Sequence, residues 1–226
     1  RRLSGSRPHH ANSFLQQSHP YWTLWVSDDG SNDDTRAQLE TFSRNNPGRL
    51  ARILDGPRQG SAANFLNLLC HPDLPLGVVA LSDQDDVWMP NKLARAIEQL
   101  SMAGPDACVW SARYVIISEE RQTARASAVW SRGPSLQNAL VQNILSGHTL
   151  TLNPAALALV RRAGRQKVPH HDWWIYLIMM ACGAHALVDR EIVLYYRQHD
   201  ANTVGGRSSV VARCKRFVAL MNGELG

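Results

Sequence analysis

The sequence predicts an α/β domain with a mostly parallel central sheet flanked by helices. Three observations carry that prediction. Short apolar runs alternate with helix-patterned stretches through the first half of the chain. The first three strand candidates are continuous apolar runs, as in strands buried on both faces. Turn-forming Gly, Pro, Asn and Asp punctuate the joins.

The elements follow in order. Residues 1–12 read as linker. "NSFLQQSHP" is the end of a helix stopped at Pro20. "TLWVSDDGS" gives a strand over 23–27 that runs into an acidic turn. A polar helix over 33–44 ends at Asn46-Pro47-Gly48. "ARILD" is the second strand, and a helix over 61–70 places Phe65, Leu66, Leu68 and Leu69 toward a core. "GVVALS" is the third strand, 91–102 a helix and "ACVWSARYVII" the fourth strand region. The second half is less regular. Residues 136–145 read as helix, 148–153 as strand, and 154–164 as a helix with Pro at its first position and a Gly stop. Residues 172–183 read as a buried helix, 184–189 and 191–199 as two strands, and 208–222 as a basic amphipathic helix.

Composition narrows the class. The chain has 226 residues, enough for one sizeable core, and 44% of them are hydrophobic. A net charge of +5 suits phosphorylated substrates or anionic surfaces. No Lys/Arg block is dense enough to point to nucleic acid. The four cysteines, Cys70, Cys108, Cys182 and Cys214, form no C-x-x-C pair and read as free thiols. "RRLSGSRPHH" leads into no apolar stretch of the secretory type. The longest apolar run, 173–183, is about half of the ~20 residues that a bilayer-spanning helix needs. The expectation is a cytoplasmic protein with peripheral contact to the inner membrane open to it.

Two acidic turns carry the chemistry. Asp28-Asp29 and Asp83/Asp85/Asp86 each follow an apolar strand. In a parallel sheet such ends converge on the ligand-binding edge. Asp-x-Asp at a strand end suits Mg²⁺ or Mn²⁺, which take carboxylates together with phosphate oxygens. A single acidic turn before "MPNKLARAIEQL" could equally serve the positive end of that helix. Two such turns in one sheet are harder to explain by capping. Asp28 or Asp29 suits hydrogen bonds from a base or ribose, and Gly30 allows the tight turn.

"VSDDGSNDDT", "GPRQGSAANFLNLL" and "ALSDQDDVWMPNKL" together resemble the nucleotide-binding half of family 2 glycosyltransferases of the GT-A fold. "NILSGHTLTLNPAAL", "PHHDWWIYLIMMACGAHALVD" and "VLYYRQHDANTVG" resemble the same family's bacterial rhamnosyltransferase-like branch, in the same order. That branch builds cell-surface polysaccharide. The resemblance implies a nucleotide-sugar-binding half at 13–117, an acceptor-binding and catalytic half at 118–206 and a basic C-terminal helix at 207–226. It implies a dTDP- or UDP-linked donor, with rhamnose a candidate sugar, and a glycan or lipid-linked acceptor.

Residue roles follow from the same resemblance. Asp28 and Asp29 would hold base or ribose, with Arg58 and Asn64 touching the nucleotide. Asp83 would lie near the ribose and Asp85 on the metal and diphosphate. Arg197 would face the diphosphate and His199 the metal. Asp172 corresponds to the catalytic base. Trp88, His148, His171 and Trp173 are candidates for acceptor or sugar contacts. Such a transfer needs one carboxylate to take the acceptor's proton, apart from those on a metal, and Asp172 is separate in sequence. Asp86 is expected to cap the following helix.

Each residue also has a plainer reading. Asp172 can cap its own helix. Trp173 and Trp174 divide between core and sugar platform, and Trp88 can stack on a sugar or cover the sheet edge. His148 can be a polar turn residue. His170, His171, Asp172 and His199 could form a transition-metal site, although the spacing fits no standard pattern. "GPRQGSAANF" lacks the spacing of a phosphate-binding P-loop. The basic tail reads as a solvated helix face or as a contact to an anionic leaflet.

The pattern breaks at the start, where the family's first apolar strand is not found before Pro20. This suggests a fragment or a diverged member. One alternative is therefore an inactive or truncated glycosyltransferase-like nucleotide-binding domain. Another rests on "VVALSDQDDV", an apolar strand followed by Asp-x-Asp-x-Val, which suits a haloacid-dehalogenase-type phosphohydrolase with Asp83 as nucleophile and Asp85 as acid/base.

Overall fold

The α/β class holds, and the sheet comes in two parts. The computed structural model describes residues 7–118 and 123–197. The first part is built from α1 (Arg7–Leu15), β1 (Leu24–Asp28), α2 (Thr35–Asn45), β2 (Leu50–Asp55) and α3 (Ser61–Leu69). β1 and β2 pair in parallel, with Val26 opposite Ile53 and Asp28 opposite Asp55.

The second part follows as β3 (Val79–Ala80), β4 (Val87–Trp88), α4 (Lys92–Met102), β5 (Cys108–Ser118), β6 (Thr123–Ala126), α5 (Leu136–Ala139), a 3₁₀ turn at Gly147–Thr149, β7 (Thr151–Leu152), α6 (Pro154–Ala163), α7 (His171–Ala181) and β8 (His185–Arg197). Its strands lie in the order β3-β7-β5-β8-β4, with β6 added to β5.

This larger sheet is more mixed than the alternation of elements predicts. β5 and β8 run parallel, reached by the long crossover through α5, α6 and α7. The β3–β7, β5–β7, β4–β8 and β5–β6 pairs are antiparallel. β6 follows β5 after four residues, a connection that permits only an antiparallel partner.

α1 begins at Arg7, inside the stretch read as linker. Three further boundaries differ from expectation for identifiable reasons. The two strands predicted over 184–199 are one strand, β8. Its polar middle is absorbed because Asp189 accepts hydrogen bonds from Arg95 Nε (2.9 Å), Trp110 Nε1 (3.3 Å) and Glu191 N (3.1 Å). The helix predicted over 136–145 is a single turn, with Asn143 Oδ1 accepting from Leu145 N (3.0 Å) and turning the chain inward. Ile144 and Leu145 then enter the core. The strand predicted over 148–153 is a 3₁₀ turn followed by two strand residues. The short β4 and β6 carry no sequence signal strong enough to anticipate.

Successive residues of β5 face opposite ways, as the pleat requires. Val109 joins Leu66, Leu152, Leu157, Tyr176 and Met179 in a core beneath α3, α6 and α7. Cys108 and Trp110 join Ala96, Leu100 and Val193 beneath α4. Phe14, Trp88 and Leu194 form a third cluster under α1. The main core draws on residues from both sides of position 117. The expected basic helix at 207–226 lies outside the described residues.

Candidate functional site

The first acidic turn is held by its own chain. Asp28, at the end of β1, is buried and accepts hydrogen bonds from Ser31 N (2.9 Å) and Arg36 Nε (2.7 Å). Burial pushes its carboxyl up, but the Ser31 and Arg36 hydrogen bonds and the Arg36 charge together bring it down to about 2. Arg36 also bonds Asp55 at the end of β2, so one guanidinium ties both strand ends.

Asp29 accepts from the backbone N–H of Arg58 (2.5 Å) and of Gly60 (3.0 Å). Gly56 is required beside it, since a Cβ there would lie 2.7 Å from Asp29 Oδ1 and 2.5 Å from Asn64 Oδ1. Arg58 adopts φ 57° and lays its side chain against Gly30. Asn64 bonds Ser27 twice, through Ser27 Oγ (2.5 Å) and Ser27 O (2.9 Å).

The next residue of α3, Phe65, stacks on His171 with ring centroids 4.1 Å apart. The helix thus joins the first acidic turn to the start of α7. His171 is buried and its Nε2 has no hydrogen-bond partner. Burial holds its imidazole below the usual histidine range, against the opposing charges of Asp172 and Asp83.

The second acidic turn meets the 3₁₀ turn. His148 Nδ1 lies 3.7 Å from Asp83 Oδ2 and 3.9 Å from Asp86 Oδ2. One ligand atom from each of Asp83, Asp86 and His148 falls within 4.8 Å of the others. The His148 ring stacks on Tyr196 (5.1 Å) and meets Tyr114 edge-on (4.5 Å), which fixes its plane.

Asp86 is fully buried, and neither carboxylate oxygen has a hydrogen-bond partner. Burial, with help from the charges of Asp83 and Asp85, pushes its carboxyl up to about 7 against the pull of His148 and Lys92. Asp83 moves the other way. Burial would raise it, but His148, His171 and Lys92 bring it below the ordinary range. A buried, unbonded carboxylate facing an imidazole is an unsatisfied arrangement that a cation would complete. The O,O,N donor set suits Mn²⁺ or Mg²⁺.

Lys92 closes the cluster from below. It is completely buried at the start of α4, and its Nζ donates to His148 O (2.7 Å) and Leu81 O (3.4 Å). The ammonium sits 3.4 Å from the centroid of the Trp88 ring. Burial drives its pKa well down, opposed by Asp86 and Asp83.

Asp172 lies in the first turn of α7. Its Oδ1 accepts from Trp173 N (2.8 Å) and its Oδ2 from Gly147 N (3.1 Å). Gly147 directly precedes His148, so adjacent residues of the turn meet the Asp172 carboxylate and the Asp83–Asp86–His148 cluster. A Cβ on Gly147 would lie 2.9 Å from His171 Nε2, so the close approach of turn and helix needs glycine here.

The predicted residues thus divide. Asp83, His148, His171 and Asp172 come together around the 3₁₀ turn. Asp85 is half-buried outside the three-residue cluster, and His199 lies outside the described residues. Asp86 does not cap α4, which starts at Lys92 after Asn91 with no side-chain cap; it belongs to the cluster instead. His148 takes a place beside the carboxylates rather than in an open turn. Trp88 is buried against Phe14 (4.7 Å, edge-on) and under Lys92, which makes it a cover for the sheet rather than an open sugar platform. Trp173 is half-buried and donates from Nε1 to Ala139 O (2.7 Å). Arg197 ends β8, paired opposite Ile117.

Sequence reasoning missed Lys92. One signal was available, since Lys92, Ala96 and Leu100 share the buried face of α4 at i, i+4 and i+8.

Comparison with known proteins identifies the family and the fold. The family described as Glycosyl transferase family 2 matches residues 11–196. The dTDP-rhamnosyl transferase RfbG of Shigella flexneri is 25% identical over 221 residues, covering 93% of this chain and 74% of that protein. S. aureus TarS 1–349 in complex with UDP superposes with a TM-score of 0.61 at 14% identity, over 85% of this chain and 56% of that one. The mannosyltransferase PcManGT from Pyrobaculum calidifontis, in complex with GDP-Man and Mn²⁺, gives 0.61 at 18% identity over 93% of this chain and 56% of that one. The chain therefore spans about three quarters of RfbG and a little over half of these solved structures.

Proposed function

The chain belongs to glycosyl transferase family 2, and from that premise we propose that it moves a sugar from a nucleoside-diphosphate donor to a hydroxyl, with inversion, using Asp172 as base. The phosphohydrolase alternative falls with the family match. The observation that carries the proposal is the hydrogen bond from Gly147 N to Asp172 Oδ2, made one residue before His148 of the Asp83–Asp86–His148 cluster.

In the proposed reaction the acceptor oxygen forms a bond to the anomeric carbon as the bond from that carbon to the diphosphate oxygen breaks. Asp172 takes the hydroxyl proton, and the nucleoside diphosphate departs with the bonding electron pair. The two N–H donors on Asp172 hold its carboxylate in one orientation. Asp83, Asp86 and His148 would hold a divalent cation, which when bound offsets charge on the diphosphate. Lys92, the stacked Tyr196 ring and the edge-on Tyr114 ring hold His148 in place. Asp28, Asp29, Arg58 and Asn64 form the floor on which base and ribose would rest, and Arg197 is proposed to reach the diphosphate.

The likeness to RfbG favours dTDP-linked rhamnose as donor, a UDP-linked donor being the other candidate. The acceptor proposed with it is a glycan or a lipid-linked glycan of cell-surface polysaccharide. No helix among the described residues is long and apolar enough to cross a membrane. A panel of nucleotide-sugars, read by thermal stabilisation and hydrolysis with Mg²⁺ or Mn²⁺, tests the reading. Stabilisation by one donor class, dependent on cation and lost in Asp86→Asn, is the expected result. Indifference to every nucleoside diphosphate would overturn it.

A further inference from the structure

We propose that the exposed stretch 123–141 is a docking surface for an anionic lipid bilayer. Five large apolar side chains stand out along it: Val129, Trp130, Leu136, Leu140 and Val141, with Leu140 at 65% and Val141 at 75% exposure. The last three cannot turn inward. Tyr176 Oη accepts from Ser135 N (3.1 Å), Trp173 Nε1 donates to Ala139 O, and Ala139 itself is buried against α7. α5 is thereby clamped with Leu136 and Leu140, one turn apart, on its outer side. A surface that holds its aliphatic residues outward marks an interaction site.

Charge identifies the partner. Within 123–141 the sequence contains no Asp or Glu, and its two charged residues are Arg125 and Arg132. Arg125 and Arg132 lie within the stretch, both exposed, and neither makes an ion pair with a described residue. Exposed aliphatics, an exposed tryptophan and unpaired arginines, with carboxylates excluded, suit the interface of a membrane with anionic headgroups. The clamp has a functional consequence that rests on the proposed transferase reading. α7 holds α5 through Trp173 and Tyr176 and carries Asp172 in its first turn. Docking would therefore seat the base next to a lipid surface that presents an acceptor hydroxyl.

Co-sedimentation of the full chain with phosphatidylcholine vesicles, with and without phosphatidylglycerol, tests the proposal. It needs no donor, so its outcome is independent of transfer activity. Binding is expected to require phosphatidylglycerol and to weaken with salt. The Leu140→Glu/Val141→Glu pair should abolish it. Arg125→Gln/Arg132→Gln, which adds no buried charge, should lower the partition coefficient by about fivefold per arginine removed. Neutralising Arg213, Lys215 and Arg216 should leave most binding intact. Near-ultraviolet circular dichroism identifies any variant that fails to fold, and the arginine pair then decides. Wild-type binding by both pairs, equal binding to both vesicle types, or loss only with the tail substitutions would overturn the proposal. So would self-association, abolished by the Leu140/Val141 pair, in a chain that ignores vesicles; the surface would then belong to a second copy.

Discussion

The backbone N–H of Gly147 donates to Oδ2 of Asp172 at 3.1 Å, linking the candidate base to the turn that carries His148. Asp172→Asn can keep that acceptor, because an amide oxygen can occupy the same place. It cannot take a proton. The substitution is expected to leave nucleotide binding within a few-fold of wild type by calorimetry and to reduce transfer by about 10²–10⁴-fold. Transfer at the wild-type rate would place the base elsewhere.

Gly147→Ala tests the close approach itself. The new methyl would sit 2.9 Å from His171 Nε2 and 3.4 Å from Asp172 Cβ, and the His171 ring is pinned by Phe65. Overpacking of this kind costs about 1–3 kcal/mol. Chemical denaturation should show that loss, and His171→Ala in the same chain should recover part of it. Full additivity of the two substitutions would mean that the turn adjusts without touching the ring.

Much of this arrangement was legible in the sequence, and the gaps have physical causes. Both acidic turns stand out because a buried strand running into clustered carboxylates is locally unusual. Asp172 was found only through ordered motifs, since Asp in a first helical turn is an ordinary cap. His148 was read as a turn or acceptor residue because its partners, Asp83 and Asp86, come from another part of the chain. Asp86 was assigned to a helix that in fact starts at Lys92, six residues on. Lys92 itself was legible from its register with Ala96 and Leu100, but a lysine at a helix start is usually solvated.

The cation cluster separates two ligand sets. If Asp83, Asp86 and His148 hold the cation, then Asp86→Asn and His148→Ala should each remove most Mn²⁺-linked stabilisation. That stabilisation is about 2.7 kcal/mol at a hundredfold excess over Kd. Asp85→Ala should retain more of it. Thermal melts with and without Mn²⁺, with electron paramagnetic resonance for imidazole nitrogen coupling, make the comparison. Loss confined to Asp85→Ala would return the site to the Asp-x-Asp pair first expected from sequence.

Asp28 governs stability in acid. Its folded carboxyl titrates near 2, below its unfolded value of 3.8. Between those values the unfolded state binds more protons, so stability falls as pH drops through that window. The contribution is fully present above about pH 5. Arg36 is half-exposed, which limits the benefit to about 1 kcal/mol. Asp28→Asn should be less stable than wild type by that amount at pH 7, with the difference closing toward pH 2. A difference independent of pH would mean that shape, not charge, holds this turn.

Lys92 and Asp86 are buried together without a direct hydrogen bond, so the ammonium acts on the carboxylate through space while its protons go to His148 O and Leu81 O. Lys92→Met removes the positive charge and leaves both carbonyls and the carboxylate buried. Breaking a buried pair this way costs about 3–5 kcal/mol. Asp86→Asn removes the stranded charge in turn, so the double variant should be more stable than the sum of the single losses by about 1–3 kcal/mol. Mn²⁺ should also stabilise Lys92→Met more than wild type, since the cation replaces the missing charge beside Asp86. Additive losses together with an unchanged Mn²⁺ response would mean that Lys92 serves the carbonyls alone.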